Sequence, residues 1–231
     1  MRRNVQIIFV LLLLLVPVAA QQQPDPSLLT VDSIFTYRTR SLGPVRWAET
    51  GGYYALEPSP TKRSFVDIVH YDVATGNRTV VVSAEQLTPP GASEPLLVEE
   101  FAFTERGTGV LIFTKSQRVW RSNTRGDYWI CHIGQSFAPG KAIPLIALRK
   151  LGGPDAKPSS LMFAKISPDG LKAAYVRENN IYVEDLINNK ITKLTTDGTR
   201  YIVNGTFDWV YEEELFCRDG FRWSPDSKQI A

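Results

Sequence analysis

The stretch ISPDGLKAAYV (Ile166–Val176) decides the fold, because a related pattern occurs three more times along the chain. It places an apolar residue before a Pro-Asp-Gly turn and an apolar strand after it. Proline presets φ, aspartate caps its own backbone and glycine accepts positive φ, so this order predicts strand, turn and strand. Related segments are RWAETGGYYAL, FTERGTGVLIF and WSPDSKQIA, at Arg46–Leu56, Phe103–Phe113 and Trp223–Ala231.

The spacing of these four segments indicates repeated structural units. When Trp47, Phe103, Ile166 and Trp223 are taken as equivalent, the spacings are 56, 63 and 57 residues. Each interval has room for three or four strands, and such a period is typical of β-propeller blades. We therefore predict an all-β fold: a partial β-propeller of about three blades, each with four antiparallel strands, in an incomplete ring. A β-sandwich is the alternative, but it would show turn signals without a period near 57 residues.

Two hairpins are predicted within these units. VDIVHYDVATGNRTVVV (Val66–Val82) alternates apolar and polar residues around a turn at residues 74–77. NNIYVEDLINNKITKLT (Asn179–Thr195) repeats the design around a turn at residues 188–189. After the amino terminus no stretch keeps a 3.6-residue apolar period, so only strands and turns are predicted there.

The amino terminus has the pattern of a secretory signal peptide over residues 1–20. Arg2 and Arg3 precede an apolar run, and small residues stand before Gln21. The sequence therefore predicts export to a periplasmic or extracellular location; an uncleaved signal that anchors the protein in a membrane is the alternative, although the run is short for a span. Residues 21–40 are predicted to form a linker and residues 41–231 a truncated propeller.

Composition excludes several classes of function. Without residues 1–20 the chain has 24 basic and 24 acidic residues, and no basic cluster that would bind nucleic acid. Its two cysteines, Cys131 and Cys217, are expected to be buried or half-buried thiols, with a disulfide as the alternative. The two histidines lie far apart, so no metal site is predicted. No nucleophile elbow, phosphate loop or zinc motif occurs, so neither a catalytic centre nor a cofactor is predicted.

DWVYEEELF (Asp208–Phe216) is the one stretch whose charge is unusual. Three consecutive glutamates stand between residues of core-forming type, at the approach to the next repeat. No lysine or arginine lies within three residues, and Arg218 is the only local cation. A solvated charge run is the ordinary interpretation of such a stretch. The absence of local cations instead favours a binding site for a positively charged ligand.

The longer segment NGTFDWVYEEELF, followed by FRWSPDS, resembles the double-glutamate segment of the dipeptidyl peptidase IV family. Members of that family are serine peptidases with an amino-terminal β-propeller and a carboxy-terminal α/β-hydrolase domain. The resemblance implies that Glu213 and Glu214 hold the free amino group of a peptide substrate. It assigns supporting roles to Asp208, Trp209, Tyr211 and Glu212.

A second segment, VWRSNTRGDYWI (Val119–Ile130), resembles the family element that carries a substrate-binding arginine. The resemblance places this arginine at Arg121. The family continues with histidine, serine and tyrosine, whereas this chain has Ser122-Asn123-Thr124. The resemblance covers about residues 30–231, and only DWVYEEE is specific to the family.

The resemblance implies the substrate-recognition part of an exported exopeptidase that releases N-terminal Xaa-Pro or Xaa-Ala dipeptides. A peptide α-ammonium carries three N–H donors, which two carboxylates and one further acceptor can satisfy. The implied partners are the peptide N-terminus and a hydrolase domain beyond Ala231, and a homodimer of the full-length protein is compatible with this scheme. Without that domain the chain is expected to be inactive and poorly folded. The alternative is a non-catalytic propeller that binds peptides or proteins through the same acidic loop.

Overall fold

The computed structural model describes residues 29–38, 43, 45–48, 51–105, 107–133, 136–138, 141–143 and 148–231. The chain divides into two compact units, Met1–Ser41 and Leu42–Ala231. The predicted signal peptide and the first part of the predicted linker lie outside the described residues. None of the helices in the described residues is long and apolar enough to cross a membrane.

The described part of the smaller unit contains one short helix, α1 (Val31–Thr36). A reciprocal capping box starts it: the Ser33 N–H donates to Thr30 Oγ1 at 3.0 Å, and the Thr30 N–H donates to Ser33 Oγ at 2.9 Å. No residue of α1 is buried. The helix falls inside the predicted linker, where the sequence pattern indicates no helix, because a six-residue helix is too short to show a period.

The larger unit begins with a four-stranded antiparallel sheet in sequence order. Its strands are β1 (Val45–Trp47), β2 (Tyr53–Pro58), β3 (Val66–Tyr71) and β4 (Arg78–Val82). The hairpin predicted over Val66–Val82 is confirmed as β3 and β4. Its turn is held by Asp72, whose Oδ1 accepts hydrogen bonds from the N–H groups of Ala74 and Thr75 at 2.9 and 2.8 Å.

The second sheet has eight antiparallel strands and contains two consecutive predicted blades. Its strands are β5 (Glu100–Phe103), β6 (Gly109–Val119), β7 (Ser122–His132), β10 (Arg149–Lys150), β11 (Leu161–Ile166), β12 (Lys172–Arg177), β13 (Asn180–Asp185) and β14 (Ile191–Lys193). The order is β14-β13-β12-β11-β7-β6-β5, with β10 also paired to β7. A separate two-stranded sheet comprises β8 (Ser136–Ala138) and β9 (Lys141–Ile143). The hairpin predicted over residues 179–195 is confirmed as β13 and β14.

The four recurring segments form four equivalent hairpins, which confirms the predicted repeat. In each, the aligned residue pairs with a residue six or seven positions later. The pairs are Trp47 with Tyr53, Phe103 with Val110, Ile166 with Ala173, and Trp223 with Ile230. The last pair is an isolated bridge.

The two Ser-Pro-Asp turns have the same local hydrogen bonds. Ser167 Oγ accepts from the Lys172 N–H at 2.9 Å and donates to Asp169 Oδ1 at 2.6 Å, and Ser224 makes the equivalent bonds at 2.9 and 2.6 Å. The turns also contact each other, because the Asp169 N–H donates to Ser227 Oγ at 2.9 Å. The third and fourth repeats are therefore joined at their turns.

Three apolar clusters form the core of the larger unit. One includes Ile68 and Ile112 and joins the first sheet to β5 and β6. Another includes Ile130 and Tyr175 and lies within the eight-stranded sheet. The third packs Phe221 against β12. Each fully buried side chain of this size contributes about 1.5–3 kcal/mol to folding, so these contacts between strands hold the sheets together.

The described fold is all-β with two antiparallel main sheets that do not close into a ring. The predicted class and the open arrangement are confirmed. The second and third predicted blades share one continuous sheet, because β7 pairs with β11 through Gly126–Leu161 and Arg125–Met162.

Both cysteines are free thiols. Cys131 is buried, as expected, and burial raises the pKa of its thiol. Cys217 is exposed, so the expectation of a buried or half-buried thiol is wrong there. It follows a short surface helix and does not lie on a core strand.

Candidate functional site

The glutamate run lies on a seven-residue helix, α2 (Trp209–Leu215). Asp208 caps it from an extended conformation, and its Oδ1 accepts a hydrogen bond from the Tyr211 N–H at 3.0 Å. Phe216 ends the helix in the left-handed region at φ 56°. The prediction of strands and turns alone is wrong here, because two helical turns made by a capping aspartate show no apolar period. Asp208 is therefore the N-terminal cap of the helix.

Arg121 lies at the tip of the long β6–β7 hairpin and contacts this helix. Its backbone N–H donates to Glu213 Oε1 at 2.8 Å, and its Nε lies 3.3 Å from Glu213 Oε2. The Glu213 side chain is 5% exposed, whereas that of Arg121 is 62% exposed. Arg121 therefore contacts both carboxylate oxygens of Glu213, while most of its own side chain remains exposed to solvent.

Glu214 completes the cluster from the next position of the helix. Its Oε1 lies 3.9 Å from Arg121 Nη1, and its side chain is 57% exposed. One guanidinium thus stands beside both carboxylates. Two carboxylates at one point can both accept hydrogen bonds from the same cation. The arrangement is therefore suited to binding a cationic group that carries several N–H donors.

Glu212 takes a different direction and is buried, at 2% exposure. Its Oε1 has no hydrogen-bond partner among the described residues. Burial raises the pKa of its carboxyl group; the charge of Arg218 acts in the opposite direction, and that of Glu213 adds to the increase. Glu212 therefore lies on the inner face of α2, whereas Glu213 and Glu214 contact Arg121 at the hairpin tip.

The aromatic residues of α2 form its outer face. The Arg121 guanidinium carbon lies 5.8 Å from the centre of the Trp209 ring, and Tyr211 stacks on Phe207 with ring centres 5.6 Å apart. The expectation that the flanking residues are core-forming is wrong, since only Glu212 of this helix is buried. The exposed side chains are Trp209, Val210, Tyr211, Leu215 and Phe216.

The structure also corrects the electrostatic interpretation of the sequence. The cation beside the glutamates is Arg121, which precedes Glu213 by 92 residues and is invisible to any local count of charges. Glu213 is therefore not free for a ligand before binding, whereas within the described residues the exposed carboxylate of Glu214 has only the long contact at 3.9 Å. A ligand would have to replace or share this guanidinium.

A cavity of about 240 Å³ is lined in part by residues that lie close in sequence to this cluster, and sequence reasoning did not identify it as part of a site. Asn123 and Thr124, just after Arg121, contribute to its wall, and so does Arg218, just after α2. The available signal was the departure of Ser122-Asn123-Thr124 from the family pattern. Asn123 and Thr124, two of the three residues that depart from it, belong to this wall.

The fold and the site together define a propeller segment that presents two carboxylates and an arginine at one point on its surface. Residues 104–231 match the family described as the dipeptidyl peptidase IV (DPP IV) N-terminal region. The chain belongs to this family, as its sequence resemblance predicts.

Individual relatives agree with this assignment. The chain is 29% identical over 235 residues to a probable dipeptidyl-aminopeptidase B of Podospora anserina, covering 93% of this chain and 23% of the relative. It is 37% identical over 123 residues to the corresponding protein of Penicillium rubens, covering 53% of this chain and 12% of the relative.

A solved structure supports the fold. The crystal structure of Porphyromonas gingivalis dipeptidyl peptidase 4 superimposes with a TM-score of 0.64 at 24% identity, covering 86% of this chain and 26% of that one. The likeness confirms the partial propeller. The chain spans about a quarter or less of the length of these relatives.

Proposed function

We propose that this chain is the substrate-recognition propeller region of an exported dipeptidyl peptidase IV-like serine exopeptidase. Its acidic pair, Glu213 and Glu214, binds the α-ammonium of a peptide, and the enzyme releases N-terminal Xaa-Pro or Xaa-Ala dipeptides. The single observation that carries the proposal is the position of one guanidinium beside both carboxylates. Family membership and the names of the relatives support the peptidase part.

The guanidinium of Arg121 marks where a substrate ammonium would bind. An α-ammonium has a pKa near 7.7–8.0 and is charged at neutral pH, as the guanidinium is. On binding, it takes the place of the guanidinium beside Glu214 and the outer oxygen of Glu213. The Arg121 N–H keeps its bond to Glu213 Oε1, so the carboxylate stays oriented while the ligand exchanges.

This exchange gives Arg121 a second role. Its exposed guanidinium, released from the carboxylates, can donate to a carbonyl oxygen of the bound peptide. The ammonium and the carbonyl then define both the start and the direction of the peptide. A peptide bond inside a longer chain has no ammonium at this point, so the site selects bonds near the amino terminus.

The test is the effect of Glu213→Gln and Glu214→Gln on kcat/KM for an Ala-Pro substrate, in the protein as its gene encodes it. Each change keeps the side chain's size and removes its charge. We expect a loss of about 10- to 100-fold for each, since a hydrogen bond to a charged group is worth about 1.5–3 kcal/mol.

Glu105→Gln, an exposed carboxylate in the turn before β6, is the matched control and should leave kcat/KM unchanged. Near-normal kcat/KM for both site variants would contradict the proposal. A wild-type protein that binds free-amine peptides without turnover would instead be a non-catalytic peptide-binding module.

A further inference from the structure

Two irregularities interrupt the pairing of β6 with β7 on the way to the hairpin tip that carries Arg121. Three register pairs bound them: Thr114–Asp127, Gln117–Arg125 and Val119–Ser122. In the first interval β6 has one residue more than β7, and in the second interval β7 has one more than β6. Both intervals are therefore β-bulges. Bulges bend and twist a hairpin, so these two determine where its tip lies.

The first bulge contains Lys115 and Ser116, which have no register partner on β7. Lys115 has φ 50°, in the left-handed region that residues other than glycine rarely adopt. Such a conformation persists only where the surrounding structure determines it. The extra residue of a bulge is also left out of the ladder, so its backbone groups need partners from elsewhere.

Two side chains from outside the hairpin hold the peptide group between Lys115 and Ser116 at both of its ends. Ser159 Oγ donates to the Lys115 carbonyl oxygen at 2.6 Å, and the Ser116 N–H donates to Glu99 Oε1 at 2.9 Å. Glu99 directly precedes β5, and Ser159 lies just before β11. Because the carbonyl and the N–H belong to one planar unit, the two bonds together fix its orientation.

Ser159 is itself held in place. It is 7% exposed and has φ 52°, again in the left-handed region. Its N–H donates to Asp127 Oδ1 at 2.7 Å, and the same oxygen lies 2.8 Å from Lys150 Nζ. Asp127 lies in β7 and is 2% exposed. Ser159 is therefore attached to β7 by a buried contact, so its hydroxyl has a fixed position.

The bulge is close enough to the acidic pair to control the contact that Arg121 makes there. Lys115 precedes Arg121 by six residues, which is a length of at most about 20 Å along the strand. A rotation of about 10° at the bulge moves the tip by about 3.5 Å over that length. The bonds of Arg121 to Glu213, at 2.8 and 3.3 Å, do not survive such a displacement. The second bulge is linked to the first, because Asn123 Nδ2 donates to Ser116 Oγ at 3.0 Å.

We propose that Ser159 and Glu99 are positioning residues for the acidic-pair site. They hold the bulge of β6 from two sides and so keep Arg121 against Glu213, where a peptide α-ammonium takes the place of the guanidinium. Among the described residues neither side chain bonds to Arg121 or Glu213, so each acts through the bulge. The effect on peptide binding rests on the proposed function, whereas the placement of Arg121 does not.

The coupling between Arg121 and Glu213 tests this placement without any substrate. It is obtained from urea unfolding of Arg121→Ala, Glu213→Gln and the double variant, in the protein as its gene encodes it, with and without Ser159→Ala. We expect Ser159→Ala to lower the coupling to less than half of its original value, because the tip is no longer held against α2. Ser160→Ala is the matched control, since Ser160 Oγ donates to the Lys157 carbonyl oxygen at 2.7 Å and not to the bulge. It should leave the coupling unchanged.

Glu99 allows rescue by a conservative variant. Glu99→Leu removes the acceptor for the Ser116 N–H and should lower the coupling as Ser159→Ala does, whereas Glu99→Gln keeps an acceptor oxygen and should preserve it. Glu99 is exposed, so Glu99→Leu decides alone if Ser159→Ala does not fold. An unchanged coupling in Glu99→Leu overturns the proposal, as does an equal loss in Glu99→Gln or the absence of any coupling in the wild type.

Calorimetry with Ala-Pro separates this inference from the proposed function. We expect Ser159→Ala and Glu99→Leu each to weaken Ala-Pro binding about fivefold, and by less than twofold when Arg121 is already alanine. A fivefold loss that persists without Arg121 indicates a merely structural role and overturns positioning through this arginine. Equal wild-type affinities for Ala-Pro and N-acetyl-Ala-Pro overturn the proposed function, while the coupling measured by unfolding still decides the placement.

Discussion

The Ser-Pro-Asp turns and the acidic pair are two polar regions of the same fold that are built in opposite ways. In the turns, Ser167 bonds to groups two and five residues away. At the site, Glu213 bonds to Arg121, 92 residues earlier in the chain. The turn is thus determined by its own residues, whereas the site exists only when the β6–β7 hairpin and α2 are both in place. Local polar contacts form the repeats, and a long-range contact forms the site.

Breaking a turn should have the largest effect on stability and the smallest on binding. Ser167 is 1% exposed, and Ser167→Ala removes both the donor to Asp169 and the acceptor for the Lys172 N–H. We expect a loss of about 1.5 kcal/mol in the free energy of unfolding, measured with urea.

Ser224→Ala is the matched control, since it removes the equivalent bonds from an exposed turn, and it should cost about 0.5 kcal/mol. Both variants should bind Ala-Pro within twofold of the wild type. A larger loss of binding would mean that the turns and the site are not separate.

Breaking the long-range contact should have a smaller effect on stability and should be non-additive. Arg121→Ala leaves the nearly buried Glu213 without its cation, and Glu213→Gln removes the charge itself. We expect the double variant's free energy of unfolding to be about 1 kcal/mol higher than the value obtained by adding the losses of the two single variants.

Arg118→Ala, on the same hairpin, provides the control for this double-mutant cycle, because the Arg118 side chain bonds to the Trp120 carbonyl and not to α2. It should show no coupling to Glu213→Gln. Strict additivity for Arg121 and Glu213 would show that their contact contributes nothing to the folded state.

This contrast also explains how much could be predicted from sequence. The hairpins at Val66–Val82 and residues 179–195 and the four repeated hairpins are predictable, because the turn residues that make them lie within a few positions of one another. Helix α2 was missed, since it has two turns and depends on one capping side chain. Family resemblance gave Arg121 and Glu213 separate contacts with a substrate; their contact with each other was not predicted, because no local pattern brings residues so far apart together.

The exposed aromatic face of α2 and the cavity could not be predicted for a different reason. Residue type indicates that Trp209 and Tyr211 can enter a core, but which side of a short helix is buried depends on what packs against it. Here the buried residue is Glu212, against the expectation for its type. The Thr124 hydroxyl, which has no hydrogen-bond partner in the described part of the chain, likewise depends on the neighbours that the strands bring to it.

The smallest effect concerns Glu212 and depends on pH. Because burial raises the pKa of its carboxyl, the folded chain binds this proton more tightly than the unfolded chain does. The contribution to stability is therefore present at low pH and is lost as pH rises through the folded-state pKa. Glu212→Gln cannot ionise, so its stability relative to the wild type should increase between pH 4 and pH 7.

Urea unfolding at a series of pH values measures this change, with the exposed Glu105→Gln as a control that should follow the wild type. A wild type that gains stability over Glu212→Gln with rising pH would mean that the attraction to Arg218 exceeds the cost of burial.

The central claim is that the acidic pair recognises a peptide α-ammonium, and acetylation tests it most directly. The measurement is the affinity of the wild-type protein for Ala-Pro and for N-acetyl-Ala-Pro at pH 7, below the pKa of the α-amino group. The account predicts that acetylation weakens binding at least tenfold, and that Glu213→Gln removes most of this difference. Equal affinities for the two dipeptides would contradict it.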